Sequence, residues 1–218
     1  MLDEEKKRSW EKGTANPIPD DKYERFKEKL VEMSKEYPER NLMLFLLARA
    51  TGYRMQDLVV LTIGEIKDAL DRGYFEIQEE KQYKQWKSGV SKNPNRKKPK
   101  KRITDIGPSL EKHLKKYISK KKRADFAFPS RKGKGNEAIT QKSFSDVLRE
   151  TGKAIGLEHI TGHSPRKTYA TKIYKETGGN IEAVRIALGH KSIEETKRYL
   201  GLKEQMAKDA ARIADSGI

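Results

Sequence analysis

The residues 160–200, ITGHSPRKTYATKIYKETGGNIEAVRIALGHKSIEETKRYL, bring together side chains suited to handling a phosphate. His163 and Arg166 lie three apart, so on a helix they share one face. A helix starting there would add the attraction of its free N–H groups for an anion. Leu188-Gly189-His190 follows, and the set ends in a single tyrosine, Tyr199, nine residues after His190. Upstream, Arg54 follows Gly52, with Asp57 three residues further on. Each has a plainer reading when taken singly. His163 and Arg166 could be a cap histidine beside a surface arginine, and His190 a structural histidine after a glycine stop. Tyr199 alone reads as a core or interface tyrosine, and Arg54 as the ion-pair partner of Asp57.

Charge narrows the partner. The 218 residues carry a formal charge of +16, and it is unevenly spread. Residues 81–134 hold 20 Lys and Arg against Asp105, Glu111 and Asp125, whereas the other 28 basic and 29 acidic residues nearly cancel. A basic field confined to one segment favours a polyanion; the bland alternative is a solubilising surface. There is no cysteine, which excludes disulfides and thiolate metal sites and suits a reducing cytoplasm. The start, MLDEEKKRSW, is too polar for a signal peptide, and the longest apolar run, 42–47, is far too short to span a bilayer. A cytoplasmic protein with no membrane partner is expected.

These residues need positioning elements. Residues 1–19 read as a flexible lead-in or linker. Asp20 and Asp21 should cap a helix over 22–37, with Tyr23, Phe26, Leu30 and Met33 at helical spacing and Pro38 ending it. A second helix over 40–51, apolar nearly all round, belongs at the centre of the core. A short helix opens at Tyr53, and Thr62 with Glu65 forms a capping box for the next. Residues 74–78 alternate as a strand. Residues 81–102 hold ten basic and no acidic residues with Gly89, Pro94 and Pro99, so they read as the long flexible tip of a hairpin returning at 101–105. A helix over 109–122 follows, Phe126 to Phe128 is expected to add a third strand, and 131–136 is a basic loop. Further helices are expected over 140–156, 164–177 (Ser164 as N-cap, Pro165 first), 181–188, 192–200 and 203–214. The fold class is mainly α with a small three-stranded antiparallel β-sheet, an α+β domain.

In this order, an arginine, a basic hairpin, His-x-x-Arg, Leu-Gly-His and a tyrosine nine residues later resemble the catalytic domain of the tyrosine recombinases, the phage and mobile-element integrase family. TGYRMQDLVVLT, HSPRKTYAT and ALGHKSIEETKRYL match beyond the functional letters, and the resemblance runs over about 20–201. It implies that Arg54 and Arg166 hold the non-bridging oxygens of a scissile phosphate. It further implies that His163 assists proton handling, that His190 hydrogen-bonds the phosphate, and that Tyr199 attacks phosphorus to give a 3′-phosphotyrosine. Asp57 would fix Arg54. The family's hairpin lysine, which protonates the leaving 5′-oxygen, aligns best with Lys81, with Lys84 as the alternative. No cofactor, metal or ATP is implied. The basic residues Lys84, Lys87, Lys92, Arg96, Lys97, Lys98, Lys100, Lys101, Arg102, Arg131, Lys132, Lys134 and Lys167 are expected to contact DNA.

There are departures. Pro165 and Lys167 stand where the family commonly has Leu and His around the second arginine. The family usually carries a separate N-terminal DNA-clamping domain, whereas about 20 residues precede the catalytic part here; the chain is then a piece of a longer one or a minimal member. Residues 202–218 are expected to form a C-terminal helix exchanged between protomers. The implied partners are double-stranded DNA and three further copies in a synaptic homotetramer, with a monomer when free. Two other readings remain: a DNA-binding regulator that keeps the fold without recombining by itself, and a general nucleic-acid-binding module using only the basic segment.

Overall fold

The computed structural model describes residues 15–216 apart from 92, 133 and 134, with the backbone alone for 203–209. The architecture is built around helix α2 (Pro38–Thr51), in which Leu44, Phe45 and Leu47 are wholly buried. Pro38 starts this helix rather than ending the one before. At the first helical position its missing N–H costs nothing and its fixed φ suits the turn. Helix α1 (Tyr23–Met33) stops earlier than expected, at Ser34, whose Oγ turns back to Leu30 O. Asp20 and Asp21 form a single 3-10 turn instead of a side-chain cap.

Around α2 pack α1, α6 (Pro108–Ile118) and α8 (Ser164–Glu176), while α7 (Gln141–Ala154) packs on α1. Phe26, Leu30, Leu114, Phe144 and Leu148 join α2 in one core. Ala170, Val184 and Leu188 make a second, smaller one with α9 (Ile181–Leu188) and α10 (Ile193–Leu200). Between α2 and the sheet lie the short α3 (Met55–Leu58) and α4 (Ile63–Arg72). The expected capping box of α4 is complete: Thr62 Oγ1 accepts the Glu65 N–H, and the Glu65 carboxylate accepts the Thr62 N–H.

The sheet has two strands, not three. β1 (Tyr74–Ile77) runs antiparallel to β2 (Arg102–Asp105), with Tyr74 opposite Asp105 and Ile77 opposite Arg102. Phe126 makes only an isolated bridge to Thr62, and Phe128 drops into the core against the Tyr117 ring. Pro129, lacking a donor, follows at once and makes only an isolated bridge to Ala138.

The larger correction lies in the segment between the strands. In place of a flexible hairpin tip, residues 80–90 form helix α5 (Glu80–Val90). Glu80 and Lys84 pair at 2.6 Å one turn apart, and the Tyr83 and Trp86 rings meet at 5.4 Å. The basic return segment folds back on this helix: Trp86 Nε1 donates to Arg96 O at 2.8 Å, and Lys98 lies 5.4 Å from the Tyr83 ring centre. The lysine-rich composition hid a helical Tyr83–Trp86 spacing whose partner comes ten residues later.

The lead-in is also more ordered than expected at its inner end. Ile18 is buried, its N–H donating to Thr168 Oγ1 at 2.8 Å, and Asn16 N–H donates to His159 O at 3.0 Å. Residues 1–14 lie outside the described residues. Helix α11 (Leu202–Asp215) follows α10 directly after Gly201; Leu202 is half-buried and the side chains of 210–215 are exposed. Among the described residues no helix is long and apolar enough to cross a membrane.

Candidate active site

Chain breaks position the site. Gly52 ends α2 in the left-handed region (φ 62°), and a Cβ there would come 2.3 Å from the Tyr169 ring. Two residues later Arg54 takes the N-cap position of α3. His163 occupies the N-cap position of α8, one residue earlier than the expected cap Ser164, and Arg166 lies in its first turn. Gly189 ends α9 in the left-handed region and delivers His190. Ser192 caps α10 by accepting the Glu195 N–H, whereas the Glu195 carboxylate turns to the Lys191 N–H rather than closing a box. Tyr199 sits in the last turn of that helix.

The six residues singled out converge. Arg54, Lys81, Gln82, Gln85, Gly189, Lys191 and Glu195 line a cleft of about 170 Å³. Arg166 lies under it, 2% exposed, donating to Gly52 O and, at 2.8 Å, to Leu188 O. Burial lowers its pKa to about 10, with Arg54 adding to the effect and Glu79 opposing it. The His190 ring meets the Tyr199 ring edge-on, centres 5.3 Å apart. His190 Nδ1 pairs with Thr196 Oγ1 at 3.1 Å. Burial carries its pKa down to about 4, so the ring is neutral at neutral pH. His163 is exposed, yet partial desolvation and then the charges of Arg166, Arg54 and Lys81 lower its pKa. The Tyr199 hydroxyl is buried with no hydrogen bond of normal geometry among the described residues. Burial raises its pKa, and Arg166 and Arg54 oppose that rise.

Lys81 stands in the first turn of α5 rather than at a strand end, and it lines the cleft. Lys84 points its ammonium at Glu80 and is not among the cleft residues. Asp57 does not hold Arg54. Its Oδ1 accepts the Glu80 N–H at 3.0 Å, its Oδ2 has no partner among the described residues, and burial raises its pKa. The carboxylate on Arg54 is that of Glu79, which also takes Arg166 Nη1 at 3.2 Å. Sequence reading passed over Glu79 because it sits in a run of polar residues; the end of a strand beside an expected catalytic lysine was the available signal. Lys191 was passed over too; its Nζ donates to Gln85 Oε1 at 2.9 Å.

The expected DNA contacts divide. Arg102 is not on the surface: it donates to Thr51 O and Ala187 O, lies 3.7 Å from the Tyr53 ring centre, and burial lowers its pKa. The Arg96 guanidinium covers Gly89 on α5. Lys87, Lys97 and Lys100 are exposed, Lys101 pairs with Glu76 at 3.3 Å, and Lys98 covers Tyr83. Arg131 pairs with Glu36 at 3.5 Å and, with the exposed Lys132, borders a different cavity beside Arg40 and Thr140. Lys167 is half-buried next to Arg166. Lys92 and Lys134 lie outside the described residues.

A mainly helical domain thus carries a cleft lined by Arg54 and Lys81, with Arg166, His163, His190 and Tyr199 gathered near it. The Phage integrase family model matches residues 21–206, and the chain belongs to that family. It is 27% identical to "Probable integrase/recombinase YoeC" of Bacillus subtilis over 175 residues, 80% of this chain and 84% of the relative. It is 25% identical to "Tyrosine recombinase XerA" of Pyrococcus furiosus, over 98% of this chain and 68% of the relative. Among solved structures, XerH site-specific recombinase bound to difH substrate, in a post-cleavage complex, superposes with a TM-score of 0.59 at 22% identity, over 93% of this chain and 54% of that one. The Tn1549 transposon integrase with circular intermediate DNA gives 0.62 at 15% identity, over 88% and 63%. The chain thus spans little more than half to two thirds of these structures. The likenesses fix the fold.

Proposed function

We propose that this chain is the catalytic part of a site-specific DNA recombinase that cuts and rejoins DNA through a 3′-phosphotyrosine. The observation that carries this reading is the gathering of Arg54, Arg166, His190 and Tyr199 from four separate elements, beside the cleft that Arg54 and Lys81 line. Membership in a family whose relatives are named tyrosine recombinases supports it, as does the fold shared with recombinase–DNA complexes.

In this mechanism Arg54 and Arg166 grip the two non-bridging oxygens of the scissile phosphate, and their hold strengthens as charge grows on the pentavalent phosphorus. The Tyr199 oxygen forms a bond to phosphorus while the bond to the 5′-oxygen breaks. The phenolic proton passes to a neutral imidazole, for which His163 and His190 are both poised by their lowered pKa values. Lys81 gives a proton to the departing 5′-oxygen. The phosphodiester energy is kept in the phosphotyrosine, so a free 5′-hydroxyl of a partner strand reverses the step without ATP. Two protomers on each of two DNA sites, with α11 reaching to a neighbour, complete the exchange.

The test is covalent capture. Nicked duplexes with a randomised core lose the leaving strand after cleavage and trap the adduct, which is read on a denaturing gel and sequenced. The wild-type chain is expected to form an adduct and Tyr199→Phe to form none while still binding DNA. Binding without any wild-type adduct would instead make the chain a regulator on a recombinase fold.

A further inference from the structure

Glu79 is a buried carboxylate that no step above uses. Its side chain is 1% exposed and lies where the two phosphate-gripping guanidinium groups face each other. Oε2 accepts from Arg54 Nη1 and, at 3.1 Å, from Gln82 Nε2. Oε1 accepts from Arg166 Nη1 at 3.2 Å and lies 3.5 Å from Arg102 Nε. Two of these three arginines are placed without it: Arg166 by the carbonyls of Gly52 and Leu188, Arg102 by those of Thr51 and Ala187 and by the Tyr53 ring. Holding them in position is therefore not what the carboxylate adds. It neutralises their charge and occupies the donors that face the cleft.

A carboxylate and a phosphodiester present the same thing to guanidinium: one negative charge over two terminal oxygens. We propose that Glu79 is an internal stand-in for the scissile phosphate, an occupant of the Arg54–Arg166 pair that the phosphodiester must exchange for when DNA binds. This rests on the reading of the cleft given above. The chemistry sets the direction of the exchange. A pentavalent phosphorus gains a second charge, and arginines already neutralised by a carboxylate stabilise it less. Buried charges left without a partner are costly, so the arginines keep Glu79 until an equivalent anion arrives. Glu79 is also the N-cap residue of α5, the helix whose first turn carries Lys81.

Inorganic phosphate probes this without DNA. Thermal melts of the full chain are run in phosphate against chloride at matched ionic strength. Glu79→Gln is expected to reach its half-maximal phosphate stabilisation at a roughly tenfold lower concentration than wild type, and Arg54→Ala to abolish that gain. An equal response of wild type and Glu79→Gln overturns the proposal. If Glu79→Gln does not fold, Glu79→Asp carries the test, because its shorter arm cannot reach both arginines; it too must respond at lower phosphate, and no gain overturns the exchange. A captured duplex supplies the second readout: Glu79→Gln lowers the DNA concentration for half-maximal adduct formation by several-fold. A phosphate gain with no adduct from any variant leaves the exchange standing and removes the recombinase reading. An adduct with no phosphate gain does the reverse.

Discussion

Tyr199 shows what a single residue spends to be ready. A buried hydroxyl without a well-formed hydrogen bond is costly, and the Tyr199 hydroxyl makes none of normal geometry among the described residues, with the Arg166 guanidinium as its neighbour. The cost makes sense if the missing partner is the substrate, since Arg166 and Arg54 already oppose the effect of burial on the phenol. His190 pays in a second currency, pH. Its folded pKa of about 4 lies below the ordinary 6.5. The unfolded chain therefore binds the extra proton first. The stability this ring contributes is complete above pH 6.5 and is lost as pH falls toward 4, amounting to at most about 3 kcal/mol. Urea unfolding midpoints of wild type are expected to fall over that window more steeply than those of His190→Asn; parallel curves would remove the buried neutral imidazole from the account.

Elements decide where these residues stand, and their ends matter more than their middles. Arg54, His163, Arg166 and His190 all sit within two residues of a helix terminus or in its first turn. Gly52 is the sharpest case. Its φ of 62° disfavours any side chain, and the Tyr169 ring fills the place of a Cβ. Gly52→Ala is expected to cost about 2–3 kcal/mol in denaturant unfolding, and to slow adduct formation because the Gly52 carbonyl accepts from Arg166. Helix α5 makes the complementary point. Its Glu80–Lys84 pair and Tyr83–Trp86 contact are local, yet the helix is completed by the irregular basic segment that returns over it.

At the scale of the whole molecule, the basic segment is shared between structure and surface. Arg102 and Arg96 are folded inward, whereas Lys97 and Lys100 remain exposed. Exposed lysines that neutralise phosphates release counterions, each steepening the salt dependence of DNA binding by about 0.9 in log–log slope. Replacing Lys97 and Lys100 by Gln is expected to flatten the slope by up to about 1.8. An unchanged slope would show that this face does not lie on DNA.

By itself the chain's order of residues determined the family, the helical character and the central place of α2, and it singled out six side chains that the fold brings near one another. Those signals are local or ordered along the chain: helical spacing, glycine stops, and motifs kept in a fixed succession. Only the tertiary structure decided that the sheet stops at two strands, that 80–90 is a helix, that Arg102 is buried, and that Glu79 rather than Asp57 faces Arg54. Each of those outcomes depends on which distant group a side chain meets. Charge and periodicity tell a residue's chemistry and its face, and an ion pair between Glu79 and an arginine 87 positions away exists only once α2, α8 and β1 have been packed together.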